Sequence, residues 1–499
     1  MEALGIDTTI ADPRTRDRAA ARLGRAGVRL PLLAELAAPC GMAPARQAAL
    51  SAIDPDLPHA ANLYRAHWHN DRTRAGLATI PVHLVVPPVL TGVRAPIAIA
   101  LGCLFPMIAA HKVLAAYGCL VQHLVTGRFD PERHRAVWPS TGNYCRGGVA
   151  ISQILGCRGV AVLPQGMSTE RFEWLSRWVE RPDDIIRTPG SESNVKEIYD
   201  KCADLARDPA NVVLNQFAEF GNYLAHWACT GPALARIFEA MRATRPGLRL
   251  TAFVAASGSA GTLAAGDYLK ERHGASIAAV EACECPTLLR NGYGAHNIQG
   301  IGDKHVPLIH NVMNTDFIIG VSDASTGGLD LLFNSEVGLG YLTGRRQVDP
   351  ELAADLRLLG LSGIANLVAA IKLAKRLDLG ADDLVVTVAT DSAALYASER
   401  RKLLAADYPD GFDEVHSGEL FGRHLLGIAD NDVLELTHHE RTRVFNLGYF
   451  TWVEQQGVAL DAFERRRSQA FWERLRQALP ALDALIAEFN ARAGFTGLC

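Results

Sequence analysis

Four short segments of this chain carry residues whose types and spacing suit chemistry, and a lysine comes first. Lys112 closes Ala109-Ala110-His111-Lys112, which follows an apolar stretch and opens a helix-like run over 113–125. An amine is thereby placed where a strand gives way to a helix. The second segment, Ser140-Thr141-Gly142-Asn143-Tyr144, lies between a strand ending at Trp138 and a helix beginning near Gly147. Polar groups and free N–H groups at a helix N-terminus suit an anion such as a carboxylate, and an asparagine can donate to a phenolate oxygen. The third, Gly258-Ser259-Ala260-Gly261-Thr262, turns from strand to helix. Its small residues let main-chain N–H groups converge on a phosphate, and the Ser and Thr hydroxyls add donors. It is neither a Walker A loop, which needs Gly-Lys-Ser/Thr, nor a GxGxxG dinucleotide turn. The fourth, Val388-Ala389-Thr390-Asp391-Ser392, ends the last apolar strand and sets a hydroxyl where it can meet a ring nitrogen. Singly, each segment has an ordinary reading: a surface lysine, an N-cap, a tight turn, a turn cap. Their joint appearance in one order is what points to a site.

The elements that must position them follow from hydrophobic patterning. Apolar runs over 97–101, 136–138, 159–163, 212–214, 250–255, 277–282 and 384–389 read as short buried strands. Helix-like stretches lie between them at 147–155, 191–207, 263–272 and 362–377. This alternation predicts a mainly parallel sheet covered by helices on both faces. The first 60 residues, rich in Ala and Arg, read as a peripheral helical arm. Beyond about Glu399 the strand signal stops, and aromatic and Arg residues at helical spacing predict a helical C-terminal extension over 401–499.

Composition narrows the class. A chain of 499 residues with 48% hydrophobic residues can bury two or three cores. The 50 Lys and Arg against 54 Asp and Glu give a net charge of -4, with no basic field for nucleic acid. The run over 95–110 is too short to span a membrane, carries two prolines and leads directly into His111 and Lys112. The N-terminus lacks the apolar core of a signal peptide, and ten scattered cysteines lack the spacing of a disulfide scaffold or a zinc site, so a cytoplasmic protein without metal is expected. Cys283 and Cys285 have no companion ligands nearby and read as the end of a buried strand.

Together the four segments resemble the fold-type II pyridoxal phosphate enzymes, the group of cysteine synthase, cystathionine β-synthase, threonine synthase and the serine/threonine dehydratases. The resemblance runs from about Leu101 to Ser398 and is strengthened by Asn215-Gln216-Phe217, Asn222, His226, Thr230-Gly231-Pro232, Ile298-Gln299-Gly300-Ile301-Gly302 and Gly360-Leu361-Ser362-Gly363. It implies two α/β domains, each with a mainly parallel sheet covered by helices. The larger would span 61–127 and 231–400 and carry the lysine and phosphate loop, and the smaller, mobile one 128–230. By the same resemblance Lys112 would hold pyridoxal 5'-phosphate as a Schiff base, Asn143 would contact the ring oxygen, and Gly258, Ser259, Ala260, Gly261 and Thr262 would bind the phosphate. Gly300 would line the ring and Thr390 would meet its nitrogen. Ser140, Thr141, Gly142, Tyr144 and Gln216 would surround the substrate carboxylate.

The implied reaction is β-replacement or β-elimination on a β-substituted L-amino acid through an aminoacrylate, with Lys112 as general base and replacement favoured. A neutral hydroxyl at Thr390 leaves the ring a weaker electron sink. A strand end shifted by one residue would instead face it with the carboxylate of Asp391. The alternatives are a dehydratase or ammonia-lyase giving a 2-oxo acid, and a fold-type II binding subunit without catalysis. Tyr144-Cys145-Arg146 departs from the small residues usual after the loop asparagine. Tyr144 and Arg146 are expected to shape a pocket for a bulkier or doubly anionic substrate, or Arg146 to be a solvated helix residue. The small-molecule partner is an amino acid, with no nucleic acid or membrane expected, and the family's habit implies a homodimer.

Overall fold

The computed structural model describes residues 4–495. Eleven strands appear among them: β1 (His83–Val86), β2 (Ile97–Leu101), β3 (Arg135–Pro139), β4 (Arg158–Pro164), β5 (Ile185–Thr188), β6 (Asn211–Val213), β7 (Arg249–Ala256), β8 (Ser276–Ala282), β9 (Phe317–Val321), β10 (Asp383–Ala389) and β11 (Val433–Glu435). They form a seven-stranded sheet in the order β1-β2-β10-β7-β8-β9-β11 and a four-stranded sheet in the order β5-β4-β3-β6. Every pairing is parallel except those of the two edge strands of the large sheet, β1 with β2 and β11 with β9.

Parallel strands are covered on both faces, so their sequences are continuous apolar runs rather than alternating ones. β2 (IAIAL) and β9 (FIIGV) are buried at every position. Four strands were not read from the sequence. β1, β5 and β11 are short pieces with partly exposed positions, and β9 is a five-residue run too brief to separate from a helix segment by period.

Two expectations are corrected. The C-terminal region is not wholly helical, since β11 joins the large sheet as an edge strand. The N-terminal arm is not peripheral either: Ala19, Leu23, Leu30 and Leu33 belong to the main core. The helix Pro13–Arg25 packs on the C-terminal helix Leu479–Arg492, and both contact the helix Lys112–Val125. Asn490 locks the ends together, its Oδ1 accepting from Leu30 N at 2.9 Å and its Nδ2 donating to Leu30 O at 2.8 Å. The Pro31 carbonyl accepts from the hydroxyl of Tyr117 on the lysine helix. Among the described residues no single helix is long and apolar enough to cross a membrane.

Candidate active site

All four chemistry-bearing segments lie just past the C-terminal ends of parallel strands: Lys112 after β2, 140–144 after β3, 258–262 after β7 and Thr390 after β10. That is where open α/β sheets gather their ligands. A narrow cavity is lined there by Lys112, Ser140, Thr141, Asn143, Tyr144, Gln216, Gly258, Ser259, Gly300 and Thr390, together with Phe217, Gln299, Asp303 and Ser362. Gly142, Ala260, Gly261 and Thr262 adjoin it without lining it.

Lys112 opens its helix after a strained turn. Met107 and Ala109 both adopt positive φ, 62° and 47°, in a segment preceded by Pro106. Non-glycine residues hold this conformation at a cost that the surrounding packing must cover. His111 N donates to Thr390 O at 3.2 Å, fixing the lysine helix against the end of β10. Lys112 Nζ lies 3.1 Å from Gln216 Oε1 and 3.2 Å from Ser259 Oγ. Burial brings its pKa down to about 8, while the carboxyls of Asp303 and Glu192 pull the other way. Behind it, His111 packs against Trp68, Phe105 and His226. Burial depresses both imidazoles, so the lysine is backed by neutral rings.

The loop 258–262 is a cradle in search of an acceptor. Among the described residues the N–H groups of Gly258, Ser259, Ala260 and Thr262 find no acceptor, while Gly261 N reaches Ser259 Oγ, at 3.4 Å. Ala260 takes a positive φ of 63°. A Cβ on Gly258 would meet Gly300 O at 2.6 Å, so the loop can approach 300–302 only as glycine. Asn222 Nδ2 holds Ser259 Oγ at 3.0 Å from beneath. Unpaired N–H groups beside the start of the helix Leu263–His273 suit a phosphate without any cationic side chain.

On the far side of the cavity, the end of β10 keeps the expected register. Thr390 lines the cavity and Asp391 turns away from it. Asp391 Oδ2 accepts from Asn143 Nδ2 at 2.6 Å and from Tyr396 OH at 2.8 Å, and Arg171 Nη2 stands 3.7 Å off. Burial raises the Asp391 carboxyl, against the pull of Arg171. Arg146 is neither a substrate ligand nor a solvated residue. It is buried, donating to Asn143 Oδ1 at 2.8 Å and Ile108 O at 2.9 Å, and burial lowers its pKa to about 10. Asn143 is therefore gripped by its own helix, Asn143–Leu155, which starts four residues earlier than expected.

Ser140 and Thr141 border the cavity, and Ser140 Oγ accepts from Gly142 N at 2.9 Å. Gly142 has φ 143°, and a Cβ there would strike the Arg171 side chain at 2.5 Å. Tyr144 lines the cavity with its ring, while its hydroxyl donates to Leu214 O at 2.9 Å. Two acids went unnoticed in the sequence. Asp303 lines the cavity and burial pushes it up to about 7. Glu192 is buried, and desolvation raises it to about 8 despite the Thr141 hydroxyl and Arg171 beside it. Only the position of Asp303, directly after Gly300-Ile301-Gly302, offered a signal; Glu192 sits in a loop with no marking pattern.

Two α/β sheets with a buried amine facing an anion cradle define an enzyme of the cofactor-bearing kind. Residues 95–325 match the family of pyridoxal-phosphate dependent enzymes. It is 29% identical to cysteine synthase B of Campylobacter jejuni over 257 residues, 50% of this chain and 75% of that protein. Cystathionine beta-synthase of Saccharomyces cerevisiae is 28% identical over 194 residues, 37% of each chain. Among solved structures, the fold is shared with the O-acetylserine dependent cystathionine beta-synthase of Helicobacter pylori, with TM-score 0.52, 23% identity, and coverage of 64% of this chain and 94% of that one. It is shared also with a hydrogen sulfide-producing enzyme of Fusobacterium nucleatum, with TM-score 0.53, 20% identity, and coverage of 71% and 95%.

The cofactor of this family is pyridoxal 5'-phosphate, and the residues present fit it: an aldehyde-reactive amine, an unpartnered phosphate cradle and a hydroxyl at the strand end. Gly258→Ala should weaken cofactor binding about tenfold to a hundredfold, because relieving the clash with Gly300 O must open the cradle. Fluorescence titration of the apoprotein with pyridoxal phosphate checks this, and unchanged affinity would show that the loop does not carry the phosphate.

Proposed function

We propose that the protein catalyses β-replacement on a β-substituted L-amino acid, with pyridoxal phosphate held by Lys112. The observation that carries this reading is the placement of Lys112 Nζ within 3.2 Å of Ser259 in the unpartnered cradle, its pKa brought down to about 8. An amine so poised is neutral far more often near physiological pH than an ordinary lysine, as bonding to an aldehyde requires.

Pyridoxal phosphate, when bound, supplies the electron sink for charge developing at Cα of an amino acid. The chain's own residues do the rest. The N–H groups of 258–262 would hold the phosphate, and Thr390 would offer the ring nitrogen a neutral hydroxyl partner. Asn143, fixed by Asp391 and Arg146, would contact the ring oxygen. Ser140, Thr141 and the N-terminus of the helix Asn143–Leu155 receive the substrate carboxylate, with Gln216 alongside. Lys112 Nζ, once released by the substrate amine, takes the Cα proton. Departure of the β-substituent completes the first half, and the incoming nucleophile bonds to Cβ in the second.

The likeness to cysteine synthase B supports replacement as the outcome. A cytoplasmic homodimer completes the reading, supported by nine described cysteines that are all free thiols and by the family's habit. The test is a panel of β-substituted amino acids, O-acetyl-L-serine and L-cysteine among them, presented to the yellow holoenzyme with and without nucleophiles. Replacement product is expected. Release of ammonia and 2-oxo acid alone would move the protein to the dehydratase side, and a colourless protein inert to borohydride would refute the reading.

A further inference from the structure

One carboxyl that lines the cavity, Asp303, and a second buried close enough to feel its charge, Glu192, have no use in the steps above. Asp303 is 5% exposed and lines the cavity with Lys112, yet its Oδ2 accepts no hydrogen bond. Glu192 is 0% exposed, and among the described residues the Thr141 hydroxyl, the Gly300 N–H and Arg171 lie near its carboxyl without closing a full hydrogen bond on either oxygen. The two acids feel each other's charge, and both feel Lys112. The nearby cations are engaged elsewhere: Arg171 with Ser168, Gln299 and Tyr396, and Lys112 with Gln216 and Ser259. An unpartnered carboxyl inside a protein is costly, and folds keep such groups chiefly where a ligand will meet them.

Charge decides what that ligand is. An anionic nucleophile such as hydrosulfide needs no base and would be repelled by a carboxylate facing it. An ammonium ion would be drawn in, and it must lose a proton before its nitrogen can bond to carbon. We propose that Asp303, with Glu192 beside it, recognises and deprotonates the incoming nucleophile, and that this nucleophile is a primary amine arriving as an ammonium ion. The inference rests on the β-replacement reading. The step balances: the ammonium gives one proton to Asp303 Oδ2, and the freed nitrogen lone pair forms the bond to Cβ. Bonding at Cβ gives Cα an electron pair that takes back the proton held by Lys112, while the proton on Asp303 passes to solvent and balances the β-substituent, which left earlier with the electrons of its own bond. The new bond leaves a secondary ammonium in the product.

The test uses holoenzyme, wild type and the Asp303→Asn, Glu192→Gln and double variants, with methylammonium and hydrosulfide as competing probes. For whichever β-substituted amino acid turns over, the ratio of kcat/KM for methylammonium to that for hydrosulfide should fall about 100-fold in Asp303→Asn, the scale of general-base catalysis. It should fall about tenfold in Glu192→Gln. Calorimetry without any amino acid gives a second reading, in which methylammonium binds wild-type holoenzyme and at least tenfold more weakly the double variant. Melting gives a third. Because burial holds the Asp303 carboxyl near 7, its ionisation weakens the fold as pH rises from the ordinary carboxyl range through 7. Asp303→Asn should therefore raise Tm at pH 8.5, whereas a merely structural acid would lower it. An unchanged ratio, or methylammonium binding indifferent to both substitutions, overturns the proposal. Should no β-substituted amino acid react with any nucleophile, the β-replacement reading fails on its own, and calorimetry still decides whether these acids bind an amine.

Discussion

Lys112→Ala is expected to lower turnover by about 10⁴-fold or more, because one substitution removes both the covalent anchor and the base for the Cα proton. The loss should appear in kcat with any amino acid that the wild type consumes, and the variant should retain its fold. Borohydride treatment of wild-type holoenzyme followed by peptide mass analysis should find the cofactor on Lys112 and nowhere else. The pH dependence has a definite sign. Only the neutral amine attacks an aldehyde, and burial has brought this one down to about 8. Capture of pyridoxal phosphate by apoprotein should accelerate as pH rises toward 8 and level off above it. An ordinary surface lysine would still be accelerating past pH 10. A labelled residue other than Lys112, or a capture rate still climbing well above pH 9, would refute the assignment.

The largest expected effect on stability lies one residue past Thr390. Asp391→Ala deletes a carboxylate on which three groups converge: Asn143 Nδ2, Tyr396 OH and the Arg171 guanidinium. Both ends of the Asp391–Arg171 pair are fully enclosed, with side chains 1% and 0% exposed. Breaking a buried pair by removing one partner costs about 3–5 kcal/mol, mostly through the charge left behind. Urea denaturation should show the midpoint falling with little change in slope. Adding Arg171→Met should recover part of the loss by removing the orphaned cation, and a double mutant less stable than Asp391→Ala alone would contradict this account. Asp391→Ala should also weaken cofactor affinity, because Asn143 loses the acceptor that aims its amide.

Much of the site was legible because it depends on main-chain placement. A strand followed by small or polar residues and then a helix leaves a pattern, and Lys112, 140–144, 258–262 and Thr390 each occupy such a junction. What escaped notice depends on tertiary meeting. Asp303 and Glu192 are single acids in irregular segments, and nothing local distinguishes them from solvated loop residues until the fold closes over them. Arg146 failed for a related reason, since a charged residue near a pocket mouth invites a ligand role. Its real partners, Asn143 and Ile108, are visible only once the helix Asn143–Leu155 meets the turn before Lys112. In the fold, the central strands announced themselves by apolar runs, whereas β1, β5 and β11 gain their pairing at sheet edges, where three or four residues suffice.

The knitting of the arm around Leu30 to the helix Leu479–Arg492 sets a schedule for the newborn chain. A ribosome delivers the lysine helix early, with Tyr117 already able to meet Pro31. The helix Leu479–Arg492, which covers part of that helix's outer face, follows both sheets in chain order. Until it is made, an oily flank of the lysine helix waits bare, and the interval is a window in which chaperones or aggregation compete for it.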